Sequence, residues 1–431
     1  MNLDEIISVT KGKLINKYKN IAINSFKTDT RCLNKQDAFI ALNGNKYDGN
    51  SFINDNLKCK LVITDKDIKL KNIPVIKVDN TYDTLYYLTK YKLSKYNIPV
   101  IGITGSNGKT TLKELIYNIL STKYNVLKNN GNKNNIIGVF QTINDLNSKH
   151  EIIILELGMN HEGELERLSN MIKPSCAVIT NIGSSHIGNL GSRKNIFKAK
   201  MEITSGLDGT LIVNGDNKFL KKTNGYKCGV NYTNDLIAYN INTYDDYLTF
   251  NITTRKEYLV KFNTNAVEYI PMILESIKVG LMYNIDINDI IKCIESYKPY
   301  SKRLNEIKLD NYTVIDDSYN ASYESMKCGL NVLSKYKGNK IIILGDMLEL
   351  GKYSIKYHKK LNKVLNKIDN KIVLTVGSYT KYIKGMHFNS NKDIINYLDN
   401  LDISNTTIFV KGSNSMKLSE IVDYLIAINN F

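Results

Sequence analysis

The chain has 431 residues, 42% of them hydrophobic and 23% charged, which excludes a disordered polypeptide and leaves room for two or three domains with real cores. With 58 basic and 42 acidic residues the formal charge is +16, yet the lysines are spread out and form no basic block, so no nucleic-acid partner is expected. No apolar run approaches the roughly 18 residues that a membrane helix needs. The start Met1-Asn2-Leu3-Asp4-Glu5 is acidic where a signal peptide is basic, and the six cysteines form no C-x-x-C pair. A cytoplasmic, reduced protein without membrane insertion is therefore expected.

Residues 1 to about 95 carry short strand-like runs, Ala38-Phe39-Ile40-Ala41-Leu42 and Leu61-Val62-Ile63-Thr64, separated by turn dipeptides such as Asn43-Gly44 and Asp48-Gly49. From Pro99 the pattern changes. Val100 to Thr104 is an apolar run ending at Gly105, and Leu112, Leu115, Ile116, Ile119 and Leu120 then recur at helical spacing. Ile152-Ile153-Ile154-Leu155 and Ala177-Val178-Ile179-Thr180 are candidate buried strands, whereas Leu236 to Phe262 alternates as hairpins do. A third α/β unit begins near Tyr300, with strands at Val314-Ile315, 340–344, 372–376 and 407–410 and a last helix from Met416 to Ile428. The pattern predicts an α/β chain of three domains, 1–95, 96–298 and 299–431, the second built on a mostly parallel sheet around a P-loop.

The chemistry concentrates after the strands. Gly105-Ser106-Asn107-Gly108-Lys109-Thr110-Thr111 lies between a predicted strand and helix, where glycines let backbone N–H groups face phosphates. Lys109 would reach the β- and γ-phosphates of ATP and the Thr110 hydroxyl would ligate Mg²⁺. Glu156 ends the run 152–155 and is either a magnesium-holding carboxylate or a solvated strand-end acid. His186 follows another strand. Lys200, in Lys198-Ala199-Lys200-Met201-Glu202, reads as one more surface lysine, and Asp317 and Asp346 repeat the strand-end acid.

Taken with its flanks, Gly102-Ile103-Thr104-Gly105-Ser106-Asn107-Gly108-Lys109-Thr110-Thr111 resembles the nucleotide loop of the ATP-dependent Mur ligases, which add amino acids to the peptidoglycan precursor and share this shortened spacing. Thr28-Asp29-Thr30-Arg31 with Ala38 to Gly44, Asp317-Ser318-Tyr319-Asn320-Ala321, Leu344 to Gly351 with His358, and Val410-Lys411-Gly412-Ser413 are similar to the branch that joins D-alanyl-D-alanine to UDP-N-acetylmuramoyl-tripeptide. The D-N-P-R segment of the branch attaching the third residue is not found. The similarity runs in order through all three units and implies a Rossmann-like C-terminal domain, an N-terminal UDP-sugar domain and a monomer acting on small molecules.

Residue by residue, the resemblance implies that Lys109, Thr110 and Thr111 bind ATP and Mg²⁺ and that Glu156 and His186 hold metal near the γ-phosphate. Lys200 falls where the family carries a carbamylated lysine that helps position magnesium, which makes it a candidate site residue. Arg303 and Asp317 would meet the nucleotide from the C-terminal side, Thr28, Asp29, Thr30 and Arg31 the UDP-sugar, and Asn132, Asn134 and Asn135 the growing peptide. The chain departs from the family at Glu268-Tyr269-Ile270-Pro271-Met272, which replaces a base-holding His-Asn-x-x-Asn, and at Asn414, which replaces an Arg. A ligase of the same type with another substrate, and a nucleotide-binding protein without enzymatic activity, are the remaining readings.

Overall fold

The computed structural model describes residues 1–16, 19–44, 47–299 and 302–429; Tyr300, where the third unit is expected to begin, lies outside the described residues, as does Phe431. Among the described residues, short apolar runs pair into four sheets. The first has the order Lys13–Leu14, Val75–Lys77, Leu61–Thr64, Ala38–Ile40, Phe26–Lys27, with only the first pair antiparallel. Asn2 and Glu5 form a capping box on the helix Leu3–Thr10, and Asn80 caps the helix Thr81–Tyr96 that leads to the next sheet.

The second sheet has seven strands, all parallel, in the order Leu236–Ile237, Tyr226–Gly229, Thr210–Asn214, Cys176–Ile179, Val100–Thr104, Ile152–Glu156, Val126–Lys128. Helices cover both faces, so Val100–Thr104, Ile152–Glu156 and Cys176–Ile179 are buried at every position, which is why they read as continuous apolar runs. The register sets Ile103 opposite Glu156 and Thr104 opposite Ile179, bringing the loops after these three strands to one sheet edge. The alternating stretch forms a separate antiparallel sheet, Tyr239–Thr243, Leu248–Thr253 and Glu257–Phe262, whose Leu248, Phe250 and Ile252 point inward.

The fourth sheet has the order Asn305–Lys308, Tyr312–Asp316, Thr406–Lys411, Asn339–Gly345, Lys371–Val376, Met386–Phe388, antiparallel only at its first pair. With its flanking helices this is the Rossmann-like arrangement, and the chain as a whole is α/β with a central phosphate-loop sheet. The last helix runs Ser419–Ile428; the residues just ahead of it make a 3-10 turn, Asn414–Met416, that ends at Lys417 with φ 53°, a left-handed break the apolar spacing does not reveal. One apolar cluster joins Ile182, Ile187 and Leu190 to Met326, Met347 and Leu350, so the second and fourth sheets share a core.

The helix Ile270–Met282 packs beside the helix Lys109–Leu120 and against the central sheet and carries Glu275 at 0% exposure, with neither carboxyl oxygen hydrogen-bonded among the described residues. Burial raises its carboxyl well above the model-peptide value of 4.5, so the group is held protonated. Unfolding at neutral pH releases that proton, and stability falls as pH rises above about 4.5. Denaturant unfolding should therefore show Glu275→Gln matching the parent below that pH and exceeding it increasingly above. Glu275→Leu should be stabilised by about 1–3 kcal/mol at pH 7, because the unpaired polar group is removed.

Candidate active site

The loop from Gly105 to Gly108 bends where no side chain fits. Gly105 has φ 149° and a Cβ there would lie 1.9 Å from Thr180 Oγ1; Gly108 has φ 80° and sits against Met272 Sδ. The helix Lys109–Leu120 that follows has Gly108 at its N-cap and no side-chain cap among the described residues, so its first N–H groups stay free for a phosphate. The loop 180–185 braces this turn. Asn181 Oδ1 accepts from Asn107 N at 3.0 Å, Gly183 N donates to Ser106 Oγ at 2.8 Å, and Ser185 Oγ donates to the Ser106 carbonyl at 3.1 Å. Lys109 Nζ folds back to the Gly105 carbonyl at 3.0 Å. Asn107 Nδ2 is buried without a partner among the described residues, an orphaned donor that a phosphate oxygen would satisfy.

Glu156 ends its strand 4% exposed. Its Oε2 accepts from the Thr110 hydroxyl at 2.7 Å and its Oε1 from Asn134 Nδ2 at 3.0 Å, while Asn129 bridges both ends of its peptide unit. Burial pushes the carboxyl up, but Lys109 and the hydrogen bonds from Thr110 and Asn134 outweigh it and leave it below its ordinary value. The Thr110 hydroxyl and an ionised carboxylate beside a phosphate loop are the hard oxygen donors that Mg²⁺ selects, so this pair fits the ion. Thr111 is buried in the first turn behind them.

His186 takes φ 63° at the start of the short helix Ile187–Leu190, which turns its ring so that Nδ1 lies 3.3 Å from Glu349 Oε2. Burial, with Lys109 and Lys200 nearby, lowers it to about 4, so at neutral pH the ring is uncharged and free to ligate. Lys200 is not a surface lysine: it is 1% exposed, and burial followed by the Lys109 charge brings its ammonium well below 10.5. The helix Arg193–Met201 that carries it also holds Arg193, Lys194 and Lys198, and this basic run hides the burial from the sequence.

The C-terminal unit reaches over the loop. Arg303 donates to Thr110 Oγ1 at 2.9 Å and stacks its guanidinium 4.0 Å from the Tyr319 ring. Asp317 does not face the loop directly; it pairs with Lys411 at 2.7 Å and accepts from Leu304 N, so it fixes the backbone beside Arg303. Ser322 Oγ donates to Asn107 Oδ1 at 2.7 Å, and Glu324 accepts from Ser184 N and Oγ at 2.8 and 2.6 Å and pairs with Arg193. Tyr353 Oη donates to the Gly191 carbonyl, and backbone meets backbone at Gly188 and Gly351, where a Cβ on either would come within 2.8 Å of the other. Ser322, Glu324 and Glu349 have no motif signal that singles out their roles; only the position of Glu349 inside Leu344 to Gly351 marks it.

Of the other candidates, Asn134 is drawn to Glu156, Asn135 spends its side chain capping the helix Ile136–Asn144, and Asn132 stays on the exposed loop between. Asp29 binds Arg31 bidentately on the surface, which lowers its carboxyl to about 2, and Gln141 reaches Thr28 at 3.4 Å across the boundary between the first two sheets. Thr30 opens a 3-10 turn capped by Asp29. In the departing segment Glu268 accepts from Asn331 of the C-terminal unit at 2.9 Å and Tyr269 packs on Phe262, while Asn263 and Asn265 donate to the carbonyls of Glu295 and Asp245.

A helix that offers bare N–H groups to a phosphate, with a second α/β unit folded over it, makes a phosphate-binding site in a cleft between two α/β units. Residues 103–282 match the Mur ligase middle domain and residues 302–414 the Mur ligase, glutamate ligase domain. The chain is 35% identical to the UDP-N-acetylmuramoyl-tripeptide–D-alanyl-D-alanine ligase of Bacillus subtilis, over 98% of this chain and 97% of that one, and 29% identical to its namesake in Escherichia coli, over 98% and 97%. The crystal structure of MurF from Acinetobacter baumannii superposes with a TM-score of 0.91 at 26% identity over 98% of each chain. That of the MurF ligase from Thermotoga maritima in complex with ADP gives 0.86 at 25% identity, over 94% of this chain and 98% of that one. The chain belongs to the Mur ligases, a family of ATP-dependent, ADP-forming ligases.

Glu324→Ala should loosen the C-terminal unit from the loop 183–184. The apparent KM for ATP is expected to rise roughly tenfold through loss of charge-assisted hydrogen bonds, and small-angle X-ray scattering should show a larger radius of gyration.

Proposed function

We propose that this chain joins D-alanyl-D-alanine to UDP-N-acetylmuramoyl-tripeptide, as a cytoplasmic monomer, converting ATP to ADP and phosphate. The observation that carries this reading is full-length similarity to ligases of that name in a chain whose Lys109, Glu156, His186 and Lys200 converge beside one phosphate loop. In this reading residues 1–95 bind the UDP-sugar through Thr28, Asp29, Thr30 and Arg31, residues 96–298 hold ATP, and residues 299–431 bring the dipeptide and close the cleft. Asn132 lies at the peptide end of the sugar nucleotide, with Asn134 and Asn135 ordering its loop.

The tripeptide carboxylate attacks the γ-phosphate, giving an acyl phosphate and ADP. Lys109 and Arg303 face the charge that builds on the transferring group, and the free N–H groups of the loop hold the phosphates in place. Thr110 and Glu156 would hold one magnesium ion, with His186 and a carbamylated Lys200 holding a second. Bound there, magnesium would supply positive charge that offsets the charge on the phosphates. Carbamylation needs a neutral amine to form its N–C bond to carbon dioxide and release a proton, and burial of Lys200 favours that form. The dipeptide amine then attacks the acyl carbon and phosphate leaves. Closure of the C-terminal unit keeps water from the activated acyl group.

Phosphate release should require both UDP-N-acetylmuramoyl-tripeptide and D-alanyl-D-alanine, with the pentapeptide product seen by mass; release with other amines alone overturns the assignment. Lys109→Ala is expected to lower kcat by roughly a hundredfold or more, the scale of losing a charge aimed at the transition state. Protein equilibrated with ¹³C-bicarbonate should show a carbamate carbon resonance that Lys200→Arg lacks.

A further inference from the structure

The helix Thr81–Tyr96 enters the central sheet at the amino end of Val100–Thr104, opposite the end that carries the phosphate loop. It packs on the helix Ile136–Asn144, which starts beside Glu156 and runs back toward the start of that strand. Between these two helices and Ile23, Asn24 and Phe26 of the first unit lies a cavity of about 260 Å³. That is more room than the roughly 150 Å³ that admits benzene. Phe26, Leu88, Phe140 and Ile143, all buried, supply an apolar wall. Thr89 and Lys92, one helical turn apart, bring polar groups to the same space. Thr89 is 1% exposed, and its hydroxyl has no hydrogen-bond partner among the described residues. Lys92 Nζ donates to the Asn144 carbonyl at 2.5 Å and forms no ion pair among the described residues. Asp145 bears on its charge without reaching ion-pair distance, and burial outweighs that help and draws the ammonium below its ordinary value. The other cations at the wall are already met, Lys95 by Glu5 at 3.1 Å and the Met1 amine by the Ile23 carbonyl at 3.1 Å. No aspartate or glutamate lines the cavity. A neutral hydrocarbon would leave the ammonium and the hydroxyl unmet, and a phosphate ester would need more positive charge than one lysine offers.

We propose that this cavity is a binding site for a small aromatic carboxylate, whose oxygens accept from Thr89 Oγ1 and Lys92 Nζ and whose ring lies against Phe26, Leu88, Phe140 and Ile143. The site is separate from the ligase chemistry and does not depend on the substrates assigned above. Its walls come from two units, and Asn144 Nδ2 donates to the Phe26 carbonyl at 3.0 Å across their boundary. A ligand seated there touches both walls and fixes the first unit against the central one. The charge it brings restores an ion-pair partner to Lys92, and its second oxygen satisfies the Thr89 hydroxyl.

The full-length protein is titrated with 3-phenylpropionate by isothermal calorimetry, with ADP and Mg²⁺ present to occupy the phosphate loop. The parent is expected to bind at a single site with a Kd of about 1 mM or tighter. 3-Phenylpropanamide, which keeps the ring and loses the charge, should bind roughly tenfold more weakly, and Lys92→Met should weaken the acid by a similar factor. Thr89→Val keeps the shape without the hydroxyl and should weaken the acid roughly three- to tenfold. Lys92→Arg, which keeps the charge, should bind within roughly threefold of the parent and separates a lost contact from a lost fold. On binding, amide exchange should slow in peptides covering 23–26 and 140–144 and in no segment of the C-terminal unit. No binding at about 10 mM, equal affinity for acid and amide, an unchanged Lys92→Met or Thr89→Val, or slowing confined to one wall overturns the proposal.

Discussion

A Cβ on Gly105 would sit 1.9 Å from the Thr180 hydroxyl, and the loop can close on its brace only because that atom is missing. The close approach lets residues 180–185 clamp the backbone of Ser106 and Asn107 from behind, so the N–H groups at the head of the helix Lys109–Leu120 stay fixed and unsatisfied. The same clamp determines where the rest of the chemistry stands. The loop that holds the turn also carries Ser184 to the C-terminal unit and His186 to Glu349. A shift at Gly105 would therefore disturb phosphate binding, domain contact and the histidine together.

Around that turn the charges are arranged for ligands that bring negative charge with them. Lys109, Lys200 and Arg303 converge with two carboxylates, Glu156 and Glu349, and burial disfavours the charged forms of both lysines. Such a cluster is costly in an empty site and becomes favourable once triphosphate, metal and substrate carboxylate arrive. The excess of 16 positive charges over the whole chain adds little to this, since most of its lysines are surface groups.

The parts of this site that repeat a local rule were legible before the structure. A strand ending in glycine, a loop and a helix-spaced apolar stripe located the phosphate site, and the register Ile103–Glu156 explains why an acid one strand away belongs to it. Most of the alternating stretch 236–262, residues 239–262, likewise resolved into antiparallel strands because period-2 patterning survives in a sheet with one exposed face, whereas Leu236–Ile237 joins the parallel central sheet. What the residues alone did not carry is burial created by distant segments. Lys200 sits in a helix with charged neighbours and becomes interior only when other segments of the central unit pack over it; the family resemblance, not its surroundings in sequence, marked it. Asp317 shows another side of the same limit: the family resemblance pointed it to the nucleotide, and nothing near it in sequence shows that Lys411, almost a hundred residues later, holds its carboxylate in an ion pair. Contacts between units, such as Ser322 with Asn107, leave no periodic trace in either partner.

Where Gly188 and Gly351 meet, each contributes main chain alone, and the two turns touch with no side chain between them. A joint of bare peptide has no rotamers to freeze, so this contact carries almost no side-chain entropy cost. Side chains grip this rim elsewhere, at Glu324 with Ser184 and Arg193 and at Tyr353 with the Gly191 carbonyl. Such a backbone contact suits an enzyme that must admit three substrates and discharge three products in every cycle, because the joint itself orders no side chain.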